Sequence, residues 1–196
     1  MRKMTSAGIS LSLAAAMMLA LPASQGIAQE LSERSVKTLM AYAWAYTPDK
    51  FTPPNGKAII IDKKAPKKMM VPVAKAREVI KVGRLTAHAQ ICDLREDQVM
   101  NYRSLMVRER KSKKWTPQQI VYINQLHLTT VMMLVGKLQI VKNEKDGDKK
   151  VVVKEGKAAA KTCTAEQRKK VKELITAYVS SGPALASAAT KAVKSQ

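Results

Sequence analysis

The chain has 196 residues, with 35 Lys and Arg against 15 Asp and Glu and a formal charge of +20. So large an excess disfavours cationic partners and steers polyanions, and two cysteines without a CxxC pair exclude a thioredoxin-type centre and a cysteine-built zinc site. Phe occurs once, so the core is expected from Val, Ile, Leu, Met and Ala.

Residues 1–28 have the pattern of a secretory signal peptide. Arg2 and Lys3 precede an apolar run at 8–23, and Gly26 and Ala28 stand before Gln29 at a small-residue cleavage point. The run is shorter than the ~20 residues of a bilayer span, and no cysteine follows it for a lipid anchor. The leader holds two of the cations and none of the acids, so the remainder carries about +18. A periplasmic or secreted location follows. There the abundant polyanions are lipid phosphates, lipopolysaccharide and cell-wall polymers rather than nucleic acid.

One α-dominated domain is expected over 29–180. Val36, Leu39, Met40 and Ala43 mark one face of a first helix over 31–46, capped by Ser32 or Ser35 and stopped before Pro48. A connector with five prolines follows at 47–72, and its Ile59–Ile61 run reads as a short strand. Helical spacing returns from Val73 to Ile91, with Gly83 inside, where a second helix can approach. The next helix runs from about Leu94 to Ser112, with Val99, Tyr102, Leu105 and Met106 on its apolar face. Asp93, Glu96 and Asp97 lie near its start and a basic run near its end, as the macrodipole favours. Thr116 and Pro117 open a further helix that ends near Gly136 and is apolar over most of its circumference, which places it at the centre. Residues 137–156 hold two β-rich runs around Asp146-Gly147 and read as a β-hairpin, with Ile59–Ile61 available as a third strand. Thr164 and Gln167 form a capping box for the last helix, which ends at Gly182-Pro183. Residues 181–196 are a small-residue, basic tail expected to be flexible.

The fold class is therefore mainly α: a bundle of four to five helices with a small β-hairpin or three-stranded sheet. In an oxidising compartment Cys92 and Cys163 are expected to pair. Closing a loop of about 70 residues contributes ~4 kcal/mol on the chain-entropy account.

Catalytic motifs are missing from the sequence. His88 and His127 each stand alone on a predicted helix, so neither has the partners of a zinc site. Asp146-Gly147-Asp148 lacks the alternating ligands and closing Glu of a calcium loop. Met69-Met70 and Met132-Met133 are adjacent pairs whose side chains diverge, which suits core filling. No GxSxG, P-loop or GxGxxG occurs, so neither an enzyme nor a cofactor is expected.

The basic surface is the remaining candidate. Arg108, Arg110, Lys111, Lys113 and Lys114, followed by Trp115, make the densest patch. Lys63, Lys64, Lys67 and Lys68 make a second, and Arg168, Lys169, Lys170 and Lys172 a third. Such patches bind polyanions with salt-sensitive affinity. Trp115 has two readings: a ring that meets a base or a lipid interface, or a hydrophobic staple packed on the residue at N4.

Cys163-Thr164 and the basic helix after them resemble the layout of small, disulfide-stapled acid chaperones of the HdeA type. The likeness covers a minor part of the chain, with a longer spacing between the cysteines. It implies a periplasmic chaperone or stress protein. The residues themselves point to an exported binding or structural module for anionic lipid, lipopolysaccharide or another polyanion. An enzyme with no recognisable motif is the third alternative, and self-association is left open.

Overall fold

The computed structural model describes residues 31–54, 56–142, 151–155 and 162–185. The signal-peptide reading, the Asp146-Gly147 turn and most of the 181–196 tail lie outside the described residues.

The described residues form six helices and two small antiparallel ladders. Helix α1 is Glu33–Tyr46, started by Ser32, whose hydroxyl accepts the Ser35 N–H. Strands β1 (Lys50–Phe51) and β2 (Ile59–Ile60) and the one-turn helix α2 (Pro66–Met69) fill the proline-rich connector. Helix α3 is Val73–Ile91, α4 is Arg95–Lys111 and α5 is Pro117–Leu134. Strands β3 (Leu138–Lys142) and β4 (Val151–Glu155) form the hairpin, and α6 is Ala165–Ser180. Ile59–Ile60 does not join the hairpin. It pairs with Lys50–Phe51, because closing a short local turn costs less chain entropy than reaching a distant edge.

Helix ends follow local chemistry. Thr116 and Thr164 each make a complete capping box, with Gln119 and Gln167 respectively. Helix α5 stops at Gly136, whose φ of 81° lets Gly136 and Lys137 bond back to Met133 and Met132. Asp93 does the same for α3 at φ 52°, with Asp93 and Leu94 bonding to Gln90 and Ala89. Asp93 therefore closes α3 and lies outside α4, whose first turn holds Glu96 and Asp97.

The core forms between α1, α3, α4 and α5. Val36, Met40, Val79, Ile80, Leu105, Tyr122, Ile123 and Leu126 are its main buried side chains. Helix α5 packs on α1, α3 and α4, while α3 touches α1, α4, α5 and α6, so the two share the centre. They cross at Gly83, where an added Cβ would lie 2.9 Å from Thr130 Cβ and 3.3 Å from the His127 carbonyl oxygen. Thr130 is β-branched and its hydroxyl is bound to the Leu126 carbonyl, so it has little room to yield. Gly83→Ala is expected to lower stability by ~1–2 kcal/mol in urea unfolding, the overpacking outweighing the better helix propensity of Ala. A stabilised variant would remove the close crossing as the reason for glycine.

The buried side of α4 is more polar than its spacing suggests. Asn101, Ser104 and Glu109 are buried beside Leu105 and Met106, while Val99 is 47% exposed and contributes no core. Asn101 reaches α3 and donates to the Val82 carbonyl at 3.0 Å and to Thr86 Oγ1 at 2.8 Å. These bonds turn a polar stripe of α4 inward and leave Val99 outside.

Cys92 and Cys163 are bonded, with Cα atoms 5.1 Å apart. The link joins the end of α3 to the start of α6. There Ala89, Cys92, Leu94, Val171 and Ile175 form a second apolar cluster.

Candidate functional site

The basic corner between α4 and α5 is built around a buried acid. Glu109, the one carboxylate in the RERKSKK run, is 7% exposed. Its Oε2 accepts the Trp115 indole N–H at 2.6 Å and its Oε1 accepts Lys75 Nζ at 3.3 Å. Lys75 also pairs with Glu78. Burial alone would lower the Lys75 pKa, but the carboxylates of Glu78 and Glu109 together hold it above the ordinary lysine value. Trp115 is thus locked by one hydrogen bond and by packing on the core, at the step into the Thr116 cap.

The sequence candidates separate into two groups. Arg108 turns to α6. Its guanidinium donates to the carbonyl of Tyr178, to Ser181 O at 3.3 Å and to Ser181 Oγ at 3.0 Å, and it lies 4.4 Å from the Tyr178 ring centroid. Burial pushes the Tyr178 phenol up to about 12 despite the opposing charge of Arg108. By contrast, Arg110, Lys111, Lys113 and Lys114 are exposed and form no ion pair with a described acid. Lys113, at φ 53°, is the residue at which α4 ends and the chain turns.

The other basic runs also each send one cation to the end of a helix. Lys63 donates to the carbonyls of Trp44 and Thr47 at the end of α1 and lies 4.2 Å from the Trp44 ring centroid. Burial lowers its pKa, opposed by Asp49. Arg168 reaches the Asp93 carbonyl at the end of α3 at 3.4 Å. Carbonyls at helix C-termini carry partial negative charge and lack intrahelical donors, so a cation from elsewhere both neutralises and bonds them.

Trp115 separates two depressions. One, of about 550 Å³, is walled by Phe51, Pro53, Ile59, Trp115, Pro117 and Ile120, and Arg110 is the charged residue on it. The other, of about 930 Å³, lies between α3, the end of α4 and the end of α6, and includes Lys75, Glu78, Glu109, Lys111 and Lys114. Gln119 Nε2 bonds the Met70 carbonyl at 3.2 Å and so ties the connector to the same corner.

His127 lies elsewhere, 2% exposed between α3, α4 and α5. Its Nε2 is 2.9 Å from Thr86 Oγ1, and its ring sits 5.2 Å from that of Tyr102. Thr86 already donates to Val82 O and accepts from Asn101, which assigns the proton to His127 Nε2. The opposite nitrogen, Nδ1, and Asn101 Oδ1 are buried acceptors without a donor among the described residues. Burial pushes the His127 pKa down to about 4. Among the described residues no three His, Cys, Asp or Glu side chains gather as a metal site.

Sequence reasoning located the corner cations but missed Lys75 and Glu109. The available signal was a single acid embedded in a cationic run on the side of α4 that also carries Leu105 and Met106.

The chain is a mainly helical bundle with one disulfide and a cationic corner. No family model, curated protein or solved structure matches it. Among the described residues no helix is long and apolar enough to cross a membrane.

Proposed function

We propose that the protein is exported and binds phosphate-bearing anions of the cell envelope at the α4–α5 corner, without catalysing a reaction. The observation that carries this reading is the group of four exposed cations, Arg110, Lys111, Lys113 and Lys114, which form no ion pair with a described acid and stand beside an immobilised Trp115. A disulfide between elements distant in sequence supports an oxidising compartment. Cations near an anionic lipid surface contribute about 1 kcal/mol each, and binding of this kind weakens steeply with salt.

Neutralising all four to Gln is expected to weaken sedimentation with phosphatidylglycerol vesicles by at least ~100-fold at low salt. Neutralising Lys67, Lys68, Lys169 and Lys170 instead removes the same charge and serves as the control. Equal losses from both sets would show that net charge alone drives binding and would remove the corner as the site. Phosphatidylcholine vesicles are expected to bind neither protein.

A further inference from the structure

We infer that the depression walled by Phe51, Ile59, Trp115 and Ile120 holds a single acyl chain of an amphiphile whose phosphate is held by Arg110 and the neighbouring corner lysines. The inference rests on the corner reading and specifies the ligand. At about 550 Å³ the depression falls within the ~300–1,000 Å³ typical of small-molecule pockets. Apart from Arg110 its walls are mainly aliphatic, aromatic and proline side chains, and no acid among the described residues lines it. Phe51 is the only Phe in the chain, yet it is 38% exposed here instead of serving the core.

The walls are held before any ligand arrives. Trp115 is fixed by Glu109, and Pro117 and Ile120 belong to the capped first turns of α5. Phe51 and Ile59 face each other across the β1–β2 ladder, which the Ile61 N–H extends to the Asp49 carbonyl at 2.8 Å. A preformed wall spares the ordering entropy of binding. Arg110 stands on this wall, while Lys111 and Lys114 lie across Trp115 on the larger depression. The indole therefore separates an apolar surface from one on which Lys75, Lys81, Arg108, Lys111 and Lys114 outnumber Glu78 and Glu109, which matches the division within an acyl phosphate. A recess between the connector and α5 admits a chain end but offers a flat bilayer only its rim, so the occupant is one chain withdrawn from the layer.

Trp44→Phe leaves Trp115 as the only indole, so its emission reports this wall directly. Dodecyl phosphate below its micelle concentration is expected to shift that emission to the blue. It should bind at least ~10-fold more tightly than inorganic phosphate or the uncharged dodecyl maltoside. Phe51→Ser should weaken dodecyl phosphate about 10-fold and leave polyphosphate binding unchanged. Arg110→Gln should weaken dodecyl phosphate but not dodecyl maltoside. If dodecyl phosphate binds no better than inorganic phosphate while polyphosphate still needs the corner cations, the acyl site is wrong and the corner stands. Equal binding of dodecyl maltoside would overturn the phosphate partnership. Failure of dodecyl phosphate and polyphosphate alike would overturn both readings.

Discussion

Acidification from pH 6.5 to about 4 is expected to cost the fold roughly 3 kcal/mol through His127 alone. In the unfolded chain this imidazole takes up its proton near 6.5, and in the folded protein only near 4. Between those values the unfolded state binds more protons, so stability falls as pH falls. The contribution is complete above 6.5 and levels off below about 4. The cause is structural. Burial is the single source of the lowered pKa, and the groups around the ring from α3 and α4 are Thr86, Asn101 and Tyr102, none of them charged in acid. A proton on Nδ1 would place an uncompensated charge in the middle of the bundle. Urea unfolding at pH 7, 5.5 and 4 measures this. His127→Gln keeps a donor toward Thr86 and removes the titration, so it should lose less stability on acidification than the unaltered protein. Parallel losses would assign the acid sensitivity to carboxylates instead. An acid-loosened core is also what the stress-chaperone alternative would require.

Loss of the disulfide is expected to have an effect of similar size. The bond closes a loop with a sequence separation of 71 residues, for which the chain-entropy account gives ~4 kcal/mol. Reduction, or Cys92→Ser with Cys163→Ser, should lower the urea midpoint accordingly. The loss should not be uniform. Helix α6 fully buries Val171 and Ile175 and rests Tyr178 on the main core, and it is tied by the Cys92–Cys163 link and the Arg168–Asp93 bond at one end and by Arg108 at the other. Amide exchange over 165–180 should therefore accelerate before exchange in α3 and α5. An unchanged midpoint, or simultaneous loss of protection throughout, would show that α6 is held by packing alone.

The helices were legible in the sequence because their ends are coded locally. Ser32, Thr116 with Pro117, Thr164 with Gln167, and Gly136 each set a boundary through their own backbone or side chain. Where the decisive contact is tertiary, local reading failed. Val99 fits the apolar spacing of α4, but Asn101 finds its partners on α3 and sets which face turns inward. Asp93 resembles a helix-start acid and instead supplies the left-handed turn that ends α3. Strand β1 and helix α2 are too short to show a period and follow from the proline-punctuated connector. At the candidate site, composition showed where cations are dense. It did not show which of them are engaged, because Arg108 meets residues 70 and 73 positions away.

Those engaged cations give the bundle a ruler. Neither α1 nor α6 carries a basic residue in its last turn, and each is finished by Lys63 or Arg108 arriving from another element to grip both an aromatic face and the terminal carbonyls. One residue inserted before Trp44 or Tyr178 would rotate that ring by about 100° around the helix while the cation stayed in place. The lengths of α1 and α6 are therefore metered from outside, by side chains that a charge count would assign to the solvent.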